Sequence, residues 1–236
     1  MIQLNDTHPT LAIVEMIRLL HDEERIPWDD AWEITSNTFC YTNHTLLAEA
    51  LEKWSVELLT RVLPRHMQLI FEINHRFLQR IELHHPGNDD MMRNTSLIEE
   101  GDQQMVRMAN LCVIGSRRVN GVSALHSQLL RNQTMPEFNE IYPDKFTNVT
   151  NGITHRRWSL KVNPELCDLI SSHIGSDWKR DLGKLNEFES LAKNTEVQNQ
   201  FLAIKHAKKE ALAAYVRETT GTSINPNSLY DVQIKR

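Results

Sequence analysis

Apolar and polar positions alternate at the very start of the chain, where Ile2 and Leu4 sit between polar neighbours, and this period of two predicts a strand. Opening in mid-strand also leads us to expect the natural N-terminus further upstream. Asn5-Asp6-Thr7-His8-Pro9 reads as a turn, with Pro9 opening a helix whose apolar face is Ile13, Met16, Ile17 and Leu20. Pro27 breaks that pattern, and Asp29 is placed as the cap of a second helix through Trp32 and Ile34. Residues 40–45 read as an irregular polar loop carrying His44. The longest helical pattern covers residues 55–83, with Leu63, Met67, Ile70, Phe77 and Ile81 on one stripe. Pro64 should kink that element or divide it. Residues 86–90 form a loop, 91–95 a short helix, and 97–101 a brief strand and turn. The compact run Asn-Leu-Cys-Val-Ile at 110–114 predicts a buried strand, Asn120-Gly121 a turn, and 122–130 a helix.

The second part of the chain is mainly helical. A short strand at 145–149 is followed by the polar run 150–158, and a helical pattern starts near Trp158. Further helices are expected from Asn163-Pro164, within 178–191, and over 197–218, the last closed near Gly221. Residues 229–234 alternate and predict a strand, which suggests that the natural chain continues past Arg236. The fold class read from this order is α/β and helix-rich, with a boundary near Asn151.

Composition narrows the classes. The chain has 236 residues, 40% hydrophobic and 24% charged, which is ordinary for a globular protein. A formal charge of −5 argues against a general nucleic-acid binder. No apolar run is long enough to span a bilayer, and no basic segment leads an apolar one at the N-terminus. Cys40, Cys112 and Cys167 are odd in number and widely spaced, so buried free thiols in a reducing cytoplasm are expected. The eleven histidines are scattered, and neither Cys-x-x-Cys nor His-Glu-x-x-His occurs, which argues against a metal site.

The run Thr-Asn-Gly-Ile-Thr-His-Arg-Arg-Trp at 150–158 concentrates candidate chemistry. Thr154 suits an N-cap. Arg156 and Arg157 then lie near the positive end of a helix, a conflict that an anion or a partner carboxylate would relieve. Trp158 offers a flat apolar wall. A surface cap with two solvated arginines is the plainer reading of these residues alone.

This run resembles the Thr-Asn-Gly-Ile-Thr-Pro-Arg-Arg-Trp signature of the glycogen/starch/maltodextrin phosphorylases. Five further stretches resemble the same family in order and spacing: Gln-Leu-Asn-Asp-Thr-His-Pro from Gln3, Tyr-Thr-Asn-His-Thr from Tyr41, Leu-Pro-Arg-His from Leu63, Val-Asn-Gly-Val from Val119, and Asp-Val-Gln-Ile-Lys-Arg from Asp231. Several long motifs in register are far more specific than one. His155 stands where the family has proline, and a slightly looser first turn is expected from it.

The resemblance implies a fragment of a two-domain glycosyltransferase fold. Residues 1–150 would be the end of the N-terminal domain, and 151–236 the start of the C-terminal, cofactor-binding domain. It implies phosphorolysis of a terminal α-1,4-linked glucosyl unit to glucose 1-phosphate, with glucan and inorganic phosphate as substrates. His44 and Asn151 would hold the hydroxymethyl end of that unit, and Val122 would line its apolar side. Asp6, His8 and Glu49 would lie near the acceptor sugar and the channel mouth, although Asp6 also suits a helix cap and Glu49 a solvated position. Lys235 would contact the phosphate of pyridoxal 5'-phosphate, Arg236 the substrate phosphate, and Trp158 the cofactor ring. The Schiff-base lysine of the family falls beyond Arg236. A homodimer is implied for the full-length polypeptide. A non-catalytic carbohydrate-binding or regulatory module of the same ancestry is the alternative.

Overall fold

The computed structural model describes residues 1–232, in two compact units, 1–151 and from Gly152 onward. Lys235 and Arg236 lie outside the described residues.

The first unit is built on a parallel sheet of four strands. They are β1 (Ile2–Asn5), β2 (Phe39–Thr42), β6 (Arg118–Gly121) and β7 (Phe146–Asn148), in spatial order β1-β2-β6-β7. Leu4 lies opposite Tyr41, Tyr41 opposite Val119, and Val119 opposite Phe146. All four side chains are buried, so this row forms the spine of the core. Parallel neighbours require long crossovers, and helices supply them. The first crossover holds α1 (Leu11–Arg18) and α2 (Trp28–Thr38). Ile13 and Ile17 of the predicted face of α1 are fully buried, together with Val14, while Met16 and Leu20 are partly buried.

The second crossover is the longest. It carries β3 (Lys53–Ser55), α3 (Val56–Val62), α4 (Pro64–His84), α5 (Asp89–Thr95), β4 (Ile98–Glu99), β5 (Met105–Arg107) and α6 (Met108–Ile114). Pro64 divides the long helical pattern: it occupies the first turn of α4, where its missing amide proton is not needed. α4 buries Met67, Ile70, Ile73, Phe77 and Ile81 at helical spacing. β3, β5 and β4 form a small antiparallel sheet, tied by Glu99 to Lys53 at 2.5 Å and to Arg107 at 3.2 Å. α7 (Ala124–Leu129) and α8 (Pro136–Ile141) complete the last crossover.

Several local expectations are corrected. The run 110–114 belongs to α6, not to a strand. Its four apolar residues, 111–114, are all buried, and an apolar run without period does not distinguish a buried helix from a buried strand. Residues 40–42 are strand, because Cys40 and Tyr41 are buried between β1 and β6 and read as loop only for their polar neighbours. Asn120 and Gly121 end β6 and are not a turn. α2 starts at Trp28 after Pro27, without a cap from Asp29.

The second unit is helical: α9 (His155–Val162), α10 (Pro164–Ile174), short 3-10 turns over 177–191, and α11 (Thr195–Thr220). Asn163 and Asn194 cap α10 and α11 with their side chains. Gly221 closes α11 with φ 72°, a backbone region open to glycine at no steric cost. Thr154 occupies the cap position of α9, but its hydroxyl makes no capping hydrogen bond. The strand expected at 229–234 is not formed over its described part, Leu229 to Val232, where no described segment pairs with it. No helix among the described residues is long and apolar enough to cross a membrane. All three cysteines are free and buried.

Candidate functional site

The four parallel strands run in one direction, so their C-terminal ends share one edge of the sheet, the usual place for a ligand crevice in such folds. Asn5 ends β1, and Asp6 and His8 follow it; Asn43 and His44 follow β2; Val122 follows β6; Asn151 follows β7. Sequence positions spread over the first unit thus converge at one edge.

The loops after β1 and β2 are clasped together. Asp6 takes a left-handed backbone, φ 59°, and its amide donates to Thr42 O at 2.9 Å. The Asp6 carboxylate accepts from the His44 amide at 3.1 Å. Asp6 therefore positions the His44 backbone and does not cap the following helix. His44 Nε2 lies 2.5 Å from Asn5 Oδ1. An amide oxygen only accepts, so Nε2 carries a proton, and in the neutral ring Nδ1 is left as an acceptor. His44 is half-buried.

The ends of β6 and β7 are joined in the same way. Asn151 N donates to Val122 O at 2.9 Å, which sets Asn151 beside Val122. Ser127 Oγ donates to Asn148 Oδ1 at 2.8 Å and draws α7 against the end of β7. α7 comes so close to β6 that a Cβ on Gly121 would lie 2.4 Å from Ser127 Oγ and 2.8 Å from Ser127 Cα. Only glycine fits there.

Two residues to which the sequence assigned no role, Asn43 within the Tyr41–Thr45 motif and His126, stand at the centre of this edge. Asn43 is fully buried, and its side chain bonds Tyr41 Oη at 3.0 Å and the Thr45 amide at 3.1 Å. His126 bonds Asn43 Oδ1 through Nε2 and the Val122 amide through Nδ1, both at 3.0 Å. Burial, followed by the neighbouring His44, lowers the His126 pKa and favours the neutral ring. The one available signal in the sequence was Ser123, the N-cap that accepts from the His126 amide.

His8 and Glu49 are exposed, His8 before α1 and Glu49 in a 3-10 turn at Ala48–Ala50. Glu52 makes the contact that links these loops, accepting from Thr7 Oγ1 at 2.5 Å. In the second unit, Trp158 is 58% exposed on α9 and presents an aromatic face suited to stacking on a planar ring. Arg156 Nη1 donates to Arg180 O at 2.5 Å. Arg156 thus has a carbonyl partner, and among the described residues neither arginine of the 150–158 run has a carboxylate within 4.0 Å.

Residues 1–236 match a family model described as carbohydrate phosphorylase. The chain is similar to the glycogen phosphorylase of Haemophilus influenzae, 47% identical over 235 residues, covering 100% of this chain and 29% of that protein. It is similar to the glycogen phosphorylase of Pasteurella multocida at 48% identity over the same share of each chain. It is also 48% identical to the muscle-form glycogen phosphorylase of Oryctolagus cuniculus, covering 100% of this chain and 28% of that protein. The chain thus spans less than a third of the length of these relatives.

Proposed function

We propose, from the premise that the chain belongs to the carbohydrate phosphorylase family, that it is a segment of an α-glucan phosphorylase that transfers a terminal α-1,4-linked glucosyl unit to inorganic phosphate. The observation that carries the reading is the convergence of His44, Val122 and Asn151 at one edge of the parallel sheet, each fixed by backbone hydrogen bonds. A neutral sugar needs side chains that both donate and accept, and a histidine and an asparagine provide them.

His44 Nδ1, left as an acceptor, receives a hydrogen bond from the hydroxyl of the sugar's hydroxymethyl group. Asn151 supplies an amide donor and acceptor to the same end. Val122 covers the apolar side of the ring. Asp6, which orders the His44 backbone, lies with His8 and Glu49 near the acceptor sugar and the channel mouth. Lys235 and Arg236, outside the described residues, take the cofactor phosphate and the substrate phosphate, the guanidinium fork suiting a bidentate anion. Holding these groups together removes much of the entropy from the encounter of sugar and phosphate.

Pyridoxal 5'-phosphate, when bound, supplies a phosphate group for proton transfer. Trp158 would lie against its ring and Lys235 would contact its phosphate; the exposed indole face fits the first role. The domain assignment follows: 1–150 closing the N-terminal domain and 151–236 opening the C-terminal one. A cytoplasmic location and a homodimer complete the proposal for the full-length polypeptide. The test is phosphorolysis of maltoheptaose by that polypeptide. Release of glucose 1-phosphate, lost in Asn151→Ala, is expected. Glucan binding without phosphorolysis by the wild type would instead favour a carbohydrate-binding module.

A further inference from the structure

We propose that His126 is a positioning residue of the sugar pocket, holding Val122 and Asn151 in place from behind the sheet edge. The inference rests on the pocket assigned above and adds a residue to it.

The imidazole has two nitrogens, and each is committed. Val122 N–H donates to Nδ1 at 3.0 Å, so Nδ1 carries no proton. Nε2 then carries it and donates to Asn43 Oδ1 at 3.0 Å. A single tautomer satisfies both partners. Asn43 is itself immobile. It is fully buried, its amide donates to Asn120 O at 3.0 Å, its Oδ1 also takes the Thr45 amide, and its Nδ2 reaches the buried Tyr41 hydroxyl. His126 therefore transfers the rigidity of the core to the Val122 backbone. Val122 passes it on, because its carbonyl accepts the Asn151 amide at 2.9 Å.

The ring can stand there for two local reasons. Ser123 Oγ accepts the His126 amide at 3.1 Å and starts α7 at the right height. Gly121 lacks the Cβ that would lie 2.9 Å from Nδ1. The arrangement links the ends of β2, β6 and β7 through one side chain. Groups held this way keep a reacting sugar aligned, and small displacements are costly in rate.

Substitution separates positioning from simple packing. His126→Asn places an acceptor oxygen near Nδ1 and loses the donor to Asn43. His126→Gln reaches Asn43 and loses the acceptor for Val122. In the full-length polypeptide, His126→Ala should lower kcat/KM for maltoheptaose about tenfold to a hundredfold, while KM for phosphate changes by less than about twofold. His126→Asn, which keeps the Val122 contact without the anchor to Asn43, should recover part of the loss, and His126→Gln little. Unchanged glucan kinetics in His126→Ala would overturn the proposal. So would an Asn variant no better than Ala, or parallel loss of glucan and phosphate constants with melting temperature, which marks a packing role. If His126→Ala fails to fold, the Asn and Gln pair still decides the matter. The tautomer is read independently from 15N-histidine spectra of the wild type near neutral pH. A bare Nδ1 and a protonated Nε2 are expected, and a protonated Nδ1 overturns the inference whatever the reaction. A wild type that shows this tautomer but no phosphorolysis would sink the pocket assignment and not the hydrogen-bond assignment.

Discussion

At the residue scale, the sheet edge tolerates little change because its contacts are directional and close. Gly121→Ala would place a methyl 2.8 Å from the Ser127 Cα, a backbone atom that cannot swing away. Overpacking of this kind costs about 1–3 kcal/mol. A lower denaturation midpoint and displaced His126 contacts are expected in the full-length polypeptide, and a melting curve overlaying wild type would contradict the close approach. His126 also gives this edge a pH response. Its folded pKa lies below the ordinary histidine value because burial, and then His44, oppose the charged ring, while Asp6 acts the other way. Between the two values the unfolded chain binds more protons than the folded one, so stability falls as pH drops below about 6.5. The loss levels off once the folded ring is protonated too. Denaturant midpoints between pH 5 and 7 should show this limb, and His126→Asn should flatten it. His44 and Asn151 were legible because they sit inside long motifs. Asn43 shares the motif of His44, but its link to His126 was not legible, because it exists only in a hydrogen bond across 83 residues of sequence.

Among the elements, tertiary contacts outweighed local signals at identifiable places. The period of α1, the division of the long helix at Pro64 and the strand near Phe146 were readable from spacing and proline alone. α6 was misread as a strand because complete burial erases the helical period. β3 and β5 were not foreseen, since each runs straight into a helix, β3 into α3 and β5 into α6, and the apolar residues of the helix mask the short strand. The small antiparallel sheet they form is anchored by a side chain in mid-helix. Asn74 on α4 accepts the Leu97 amide at 2.7 Å and the Ser96 hydroxyl at 3.3 Å, just before β4. Leu97 is fully buried, so Asn74→Ala would leave its amide without a partner. An unsatisfied buried donor costs about 1–3 kcal/mol. A matching fall in unfolding free energy is expected, with amide exchange rising first over 97–107. Uniform exchange across the first unit would show that Asn74 is not the anchor.

On the scale of the whole molecule, the two units differ in how much they bury. The first has a continuous core from Leu4 to Phe146. The described part of the second buries only four hydrophobic side chains, Cys167, Leu169, Trp178 and Val197. On α11, Leu202 and Tyr215 are 60% and 63% exposed. Such a helix has little packing to hold it and should open at low cost. Limited proteolysis of the 236-residue chain is therefore expected to cut within α11 before any site in residues 1–151. The same chain should release negligible glucose 1-phosphate from maltoheptaose, since it spans 29% of its Haemophilus influenzae relative. First cleavage within the parallel sheet, or robust turnover by the chain alone, would refute these expectations. The strand order has a further consequence, for synthesis. β2 pairs with β6, so Cys40 must wait for Arg118 before that pair can form. At a ribosomal rate of about 5–20 residues per second, the wait is roughly 4–16 s. During that interval the nascent strand Phe39-Cys40-Tyr41 has no β6 to cover it. Slow codons between β2 and β6 would lengthen its exposure, and aggregation of the newborn chain would rise with them.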